Sequence, residues 1–509
     1  MGQKQFNAVP LLFTTLLISI CSIVYELIIG SLSSYLLGNS ITQFSITIGL
    51  YLFAMGVGSY VSKYVSRNLF DAFTLVEITV GLLGSFSSIL LFVCHIYTSI
   101  YPLVMYLLTL SIGMLVGIEI PMLVRIIEEH KQNIKSNIAN LFTFDYIGGL
   151  IGSIAFPLLL LPQLGYVTTS FVVGLINLIA ATIIVVRYRE YLRYSKFFQG
   201  TLVVCFVTIL GFTISGDYIT YNLEEGLYRD RIVYTKQSLY QKIVLTKHKN
   251  DLRLFLDGNI QFSSADEYRY YEPLVHVPMA ACPHAKDILL LGAGDGLAAK
   301  QLLKYPGVET ITLVDLDDAV VSLAKEYTEI CRLNDSAFFN PKVSIIIEDA
   351  FTYLQHPQKL YDVIIIDLPD PNNDALNKLY TTAFYRLIKN NLMPGGVMVT
   401  QSNSPYYTKN AFWCINKTLK EEFSCVVPYH VNVPSFGDWG FNMASERYIV
   451  PDNLKLPSNI AYQYLNQSNY PSLFLFANDE KADMDKLDIN TLFKPVLIGY
   501  YEKDIAVNS

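Results

Sequence analysis

The chain has 509 residues, 52% of them apolar, and a mean hydropathy of +0.34. That is long enough for two or three domains and too apolar for an ordinary soluble enzyme. The first 216 residues hold only 10 of the 37 Lys/Arg and 8 of the 44 Asp/Glu, so the other 293 carry 27 and 36 and a net charge of −9. This acidic balance argues against nucleic acid as a partner, and seven scattered cysteines without a CxxC pair indicate neither a disulfide framework nor a zinc site.

The charge-poor part, residues 1–216, reads as a helical membrane domain in contact with the lipid bilayer. A span needs about 20 apolar residues, and seven stretches qualify, near 10–32, 41–62, 73–94, 101–122, 141–162, 166–186 and 197–215. The first is too long for a signal-peptide core and is followed by others, so it reads as an anchor. Gly56, Gly58, Gly148, Gly149 and Gly152 suit close helix packing in lipid. Lys63 and Arg67, then Arg125, Lys131 and Lys135, then Arg187, Arg189, Arg193 and Lys196 follow the even-numbered spans, which places the N-terminus in the cytoplasm. A seventh full crossing then carries the rest of the chain outside, where cytosolic small-molecule ligands are scarce. A re-entrant 197–215, a hidden eighth crossing and an external domain all remain open. Glu26, Glu119 and Asp145 lie in or at the ends of spans, where a carboxylate is costly enough to point to a binding or transport path or, more blandly, to helix caps and interfacial pairs.

Residues 217–280 begin a different pattern, with short β-type runs such as Ile243–Leu245 and Leu254–Leu256 separated by polar turns, which predicts a small antiparallel β domain. Residues 281–509 form the third domain. Asp287–Leu291, Thr310–Asp315, Lys342–Ile347, Asp362–Asp367 and Val397–Gln401 read as strands alternating with helices, which makes a doubly wound, Rossmann-like α/β sheet of methyltransferase type.

The first of those strands runs into Gly292-Ala293-Gly294-Asp295-Gly296, and the second ends on Asp315, where a carboxylate can take ribose hydroxyls. An Asp at the tip of such a turn repels pyrophosphate and suits a ligand with a cationic tail, although a helix N-cap is the bland alternative. Asp367 and Asp370 close the strand Val363–Ile366. One can take the proton of an attacking ammonium, whose pKa is about 10, while the other holds the amine in line. A metal site or a loop cap is the alternative for this pair, and no nearby His or further acid favours a metal. Upstream, Asp257-Gly258-Asn259-Ile260-Gln261 and Asp266–Glu272 supply acids and tyrosines for a cation-lined wall, while His276 reads as a packing residue.

The run from Asp257 to Pro278, the GAGDG turn, Asp349-Ala350, the Asp367/Asp370 pair and Leu379-Tyr380 with Phe384-Tyr385 together resemble the spermidine synthase family over roughly residues 225–445. Val24–Leu27, Gly117–Pro121 and Asp145–Gly149 are similar to the family's membrane-spanning bacterial branch. The resemblance implies aminopropyl transfer from decarboxylated S-adenosylmethionine to an amine such as putrescine, with no metal and no prosthetic group, and it leaves room for a homodimer. It implies that Gly292, Gly294, Asp295, Asp315, Gln241, Asp349 and Ala350 hold the donor, with Asp295 on the aminopropyl ammonium, Asp315 and Gln241 on the ribose and Asp349 on the adenine. It makes Asp367 the base, with Asp370, Gln261, Tyr270, Phe436 and Asp438 around the acceptor. Two stretches depart from the family pattern. Asn372-Asn373-Asp374 replaces the usual Gly-Pro after Asp370-Pro371, and Phe436 stands where a Tyr is common. Two rivals follow: a methyltransferase using intact S-adenosylmethionine, and a polyamine transporter or sensor whose synthase-like domain is inactive.

Overall fold

The computed structural model describes residues 6–38, 40–130, 134–228, 230–356 and 359–508, and the chain divides into two compact units, 1–246 and 247–509. The first unit is built from helices α1 (Val9–Leu37), α2 (Ser40–Val61), α3 (Leu69–Tyr97), α4 (Tyr101–His130), α5 (Ile134–Ala155), α6 (Leu161–Arg187), α7 (Ser195–Ile214) and α8 (Gly216–Tyr228). Six stretches are long and apolar enough to cross a membrane: Val9–Leu37, Ser40–Tyr64, Leu69–Tyr97, Tyr101–His130, Ser136–Arg187 and Ser195–Ile214. The fifth runs for 52 residues and holds both the expected spans 141–162 and 166–186. It passes through a π-helical turn at Phe156–Leu160, where Pro157 has no amide hydrogen to donate, and loses helical geometry at Gly165, which has φ +68°. Small residues set the helix spacing. A Cβ on Gly58 would lie 2.0 Å from the Met114 carbonyl and one on Gly117 2.1 Å from that of Met55, which locks α2 against α4. Gly148 and Gly152 do the same between α5 and α1, whereas Gly56 faces open space.

Strands β1 (Arg231–Gln237), β2 (Lys242–His248), β3 (Asp251–Leu256) and β4 (Asn259–Ser263) form a four-stranded sheet in that order, and the division between the units falls inside β2. β3 and β4 are antiparallel. Asp257 and Gly258 join them with φ of +46° and +81°, the geometry for which an Asp-Gly hairpin is selected. Helix α9 (Glu267–Ala281) then leads into the second sheet.

That sheet contains β5 (Asp287–Gly292), β6 (Thr310–Asp315), β7 (Val343–Ile347), β8 (Tyr361–Asp367), β9 (Leu392–Gln401), β10 (Cys425–Val433) and β11 (Gly437–Ser445), in the order β10-β11-β9-β8-β5-β6-β7. Its helices are α10 (Leu297–Leu302), α11 (Asp318–Glu326), α12 (Thr328–Leu333), α13 (Ala350–Gln355), α14 (Asp374–Asn377), α15 (Thr382–Asn391), α16 (Lys409–Lys420) and α17 (Val496–Asn508). β9, β8, β5, β6 and β7 are parallel, and β11 and β10 add an antiparallel edge. The central strands are covered on both faces, so Leu289, Leu291, Ile364 and Ile366 are wholly buried and the sequence there is apolar without alternation. The chain winds outward from β5 in both directions, which makes the carboxyl ends of β5 and β8 the switch point where such sheets hold ligands.

Glu272 of α9 ties down the segment that follows the sheet. It is fully buried, and its carboxylate accepts the amide hydrogens of Gln463, Tyr464 and Leu465 at 2.6, 2.9 and 2.8 Å. Glu272→Gln replaces one acceptor oxygen by a donor facing these amides. Thermal or denaturant unfolding of the purified protein is expected to show a loss of about 3 kcal/mol, and an unchanged transition would rule out this anchoring role.

Candidate active site

The turn after β5 is shaped by two close approaches. Gly292 is paired in register with Asp367, has φ +79°, and would place a Cβ 2.1 Å from the Asp367 carbonyl oxygen. A Cβ on Gly294 would lie 2.5 Å from Asp315 Oδ2. Only glycine fits at Gly292, and at Gly294 a side chain would displace the Asp315 carboxylate, so the turn lies directly on the end of β8 and against Asp315 and brings three acids to one mouth.

Asp295 is buried at the tip of the turn. Its Oδ1 accepts the Leu297 amide hydrogen at 2.8 Å, a cap-like bond to α10, and its Oδ2 accepts the Tyr271 hydroxyl from α9. Burial raises its pKa above the usual carboxyl range. Asp315 accepts the Asp317 amide at 2.9 Å, and burial together with the charges of Asp317 and Asp295 pushes it up to about 6. Asp367 accepts the Tyr270 hydroxyl at 2.6 Å. Burial and the charge of Asp295 push it up to about 7, against the opposing pull of the Tyr270 bond. Asp370 accepts from Tyr501 of α17 at 3.0 Å and, weakly, from Gln401 at 3.5 Å, and burial raises it to about 6.

Gln401, at the end of β9, holds the loop between these acids. Its Nε2 donates to the Leu368 carbonyl and to the Tyr380 hydroxyl, both at 2.6 Å, and its Oε1 accepts the Asn403 amide at 3.1 Å. Tyr380 donates in turn to the Pro369 carbonyl at 3.0 Å. An aromatic wall continues from Tyr270, whose ring centroid lies 5.0 Å from Tyr271, 5.3 Å from Phe441 and 5.7 Å from Phe436, with Trp439 5.2 Å beyond Phe436. Among the described residues no lysine, arginine or histidine pairs with Asp295, Asp315, Asp367 or Asp370. The mouth is acidic without a protein counter-charge.

The remaining expected residues lie in other settings. Asp349 caps α13 through the Thr352 amide at 3.0 Å and pairs with Lys378 at 2.8 Å. Burial opposes its charge, but these partners hold its pKa below the usual range. Ala350 is the buried first residue of α13. Gln261 on β4 donates to its neighbour Asn259 at 3.2 Å. Gln241 lies in the first unit, in the β1–β2 turn, with its amide on the Ser238 hydroxyl at 3.0 Å. Asp438 accepts from His430 at 2.8 Å. The other His430 nitrogen meets the Leu475 carbonyl, and the ring stacks on Phe476, so the cluster of His430, Asp438 and Glu480 has no ring nitrogen free for a metal. His276 is buried between Tyr305 and Gln301, and burial drives its pKa down to about 3, which fits a packing role. Tyr271, Tyr380, Gln401 and Tyr501 join the site in the structure without a sequence signal of their own. The first two lie inside the motifs of the sequence, and the last reaches Asp370 from 131 residues away.

Residues 267–451 match the family described as the spermine/spermidine synthase domain. The polyamine aminopropyltransferase of Leptospira interrogans is 41% identical over 497 residues, covering 97% of this chain and 98% of its own length. That of Oceanobacillus iheyensis is 40% identical and covers 96% of each. A crystal structure of spermidine synthase from Thermotoga maritima aligns with a TM-score of 0.45 at 27% identity, over 49% of this chain and 85% of its own.

The raised pKa of Asp367 has a cost that can be measured. A carboxyl that ionises near 4 when unfolded and at about 7 when folded loses stability as pH rises between those values. Asp367→Asn is therefore expected to be more stable than the parent at pH 8, by about 2–4 kcal/mol. The gap should shrink as pH falls through about 7 towards 4. Melting curves across that range test the sign, and a variant less stable at pH 8 would refute it.

Proposed function

The chain belongs to the polyamine aminopropyltransferases of the spermidine synthase family, and from that premise we propose how its residues carry out the transfer. Four acids, Asp295 buried and Asp315, Asp367 and Asp370 half-buried, with no counter-charge among the described residues, carry the reading, because a mouth of that kind is completed by cationic ligands. Decarboxylated S-adenosylmethionine offers a sulfonium and an aminopropyl ammonium, and the acceptor amine brings another ammonium. Asp295 takes the aminopropyl ammonium and repels the carboxylate of intact S-adenosylmethionine. Asp315 holds the ribose hydroxyls, and Asp349, oriented by Lys378 and Thr352, faces the adenine.

Asp367 removes a proton from the acceptor ammonium, and Asp370, held by Tyr501 and Gln401, keeps that nitrogen in line. The freed lone pair attacks the methylene bound to sulfur. A C–N bond forms, the C–S bond breaks with its electrons going to sulfur, and methylthioadenosine leaves. A base near 7 is far closer in strength to an amine than an ordinary carboxylate is. Tyr270 and Phe436 line the acceptor's path.

We read the first unit as a membrane anchor, since its six stretches are long and apolar enough to cross a bilayer and the 52-residue one is long enough to cross twice. We place the catalytic unit in the cytoplasm, where nucleosides are supplied, with six of the seven apolar segments crossing fully and 197–215 re-entrant rather than crossing. A C-terminal alkaline phosphatase fusion should then be inactive, and an active fusion would put the unit outside.

Purified protein given decarboxylated S-adenosylmethionine and a panel of di- and triamines should release methylthioadenosine, with an acid limb in kcat/KM near pH 7 set by Asp367. Asp367→Asn should lower kcat by about 10²–10⁴-fold while nucleoside binding persists. Release of S-adenosylhomocysteine from intact S-adenosylmethionine would favour a methyltransferase instead, and binding without turnover would favour a sensor.

A further inference from the structure

The helical unit contains a second group of buried acids. Glu77 of α3 and Glu119 of α4 are 0% and 1% exposed, and their carboxyl groups interact with each other. Asn177 of α6 donates through Nδ2 to Glu77 Oε2 at 3.0 Å and to the Glu77 carbonyl at 2.8 Å. Tyr25 of α1 is fully buried within electrostatic reach of both glutamates. Glu77 Oε1, Glu119 Oε1, Asn177 Oδ1 and Tyr25 Oη have no hydrogen-bond partner among the described residues. No lysine, arginine or histidine among those residues pairs with either glutamate. The other titratable groups facing the pair are Cys21 on α1, Tyr51 on α2 and Asp145 on α5, and none of them is basic.

When the carboxyl pair holds a single shared proton, three of the four orphan atoms only accept and the fourth is a hydroxyl. Leaving them unmet in an apolar interior costs several kcal/mol. A ligand that suits them donates only, is compact and carries one positive charge to balance a carboxyl pair that shares one proton. Cys21 spends its thiol on the Val173 carbonyl, so no soft ligand for a transition metal is available. We propose that Glu77, Glu119, Asn177 and Tyr25 form a second amine site, inside the helical unit, that takes the primary ammonium of a linear alkylamine and releases one proton as it binds. With both carboxyls protonated the empty site is neutral. Entry of one ammonium and loss of one proton leaves it neutral again, so the exchange balances in charge. The choice of an alkylamine as ligand rests on the aminopropyl-transfer reading of the other unit, and the geometry of the site does not.

The test is equilibrium binding of labelled putrescine to the purified full-length protein in detergent at low buffer strength, with a pH dye recording proton release. The parent should bind two equivalents, one in each unit. Glu119→Gln should bind one equivalent, lose about one proton of the release and still form methylthioadenosine at the parent rate. Asp370→Asn should keep the equivalent that Glu119→Gln loses. Putrescine binding and proton release by Glu119→Gln equal to those of the parent would overturn the site, and so would equal proton release by sodium. If Glu119→Gln misfolds, shown by loss of turnover, Tyr25→Phe decides. About tenfold weaker binding of the second equivalent with normal turnover supports the site, and unchanged affinity overturns it. Loss of methylthioadenosine formation by the parent would count against the catalytic reading alone.

Discussion

The contact between Gly292 and the Asp367 carbonyl is the constraint from which the catalytic mouth follows. With no side chain at Gly292, β5 can end directly on β8, at the point where the winding of the sheet reverses. The turn leaves that contact in a left-handed conformation and lies down on Asp315 through the bare Cα of Gly294. Asp295 and Asp367 are thus brought together by backbone geometry. A methyl group at Gly292 would push the turn away from β8, and one at Gly294 would displace the Asp315 carboxylate.

Crowding these acids has an energetic consequence that the surroundings only partly relieve. Tyr270 and Tyr271 are neighbours on α9, and each donates to a different carboxylate, Asp367 and Asp295. Hydroxyl donors stabilise a carboxylate without supplying positive charge, so burial and mutual repulsion still hold the acids above their usual range. A lysine or arginine in their place would stabilise the fold and would also fill the space and charge that a cationic substrate needs. The site gives up stability so that the ligand can complete it.

The parts of this arrangement visible in the sequence are those whose causes are local. Unbroken apolar runs marked the parallel strands, because burial on both faces removes alternation, and GAGDG marked the turn because two close approaches leave no room for a side chain. The β10–β11 edge was not read as strands, since polar residues interrupt both. The pairing of the two strands decides which way the residues near Phe436 face. Successive side chains of a strand point to opposite faces, so Trp439 packs on Phe436 while Asp438 meets His430. Asp349 precedes a helix, a position that favours capping on local grounds. Its pairing with Lys378 depends on how a loop returns and leaves no trace in the sequence near Asp349. Tyr501 and Gln401 reach Asp370 through tertiary folding alone. Glu77 lies in an apolar window that hydropathy reads as a span, and its importance appears only when α3, α4 and α6 bring it to Glu119 and Asn177.

The two units share a physical device despite their different folds. Each buries carboxyl groups without a basic partner, and each supplies neutral donors, tyrosine hydroxyls in one and an asparagine amide in the other. In such a place a carboxyl is neutralised either by a proton or by a bound cation, and the two compete for the same oxygens. Amine occupancy and proton occupancy are therefore linked wherever this device occurs, and by reciprocity each must weaken the other by the same factor. In the mechanism proposed for the mouth the link has a direction: a bound cation favours the ionised form of Asp367, the form that accepts the amine's proton, while burial favours the protonated form of the empty site.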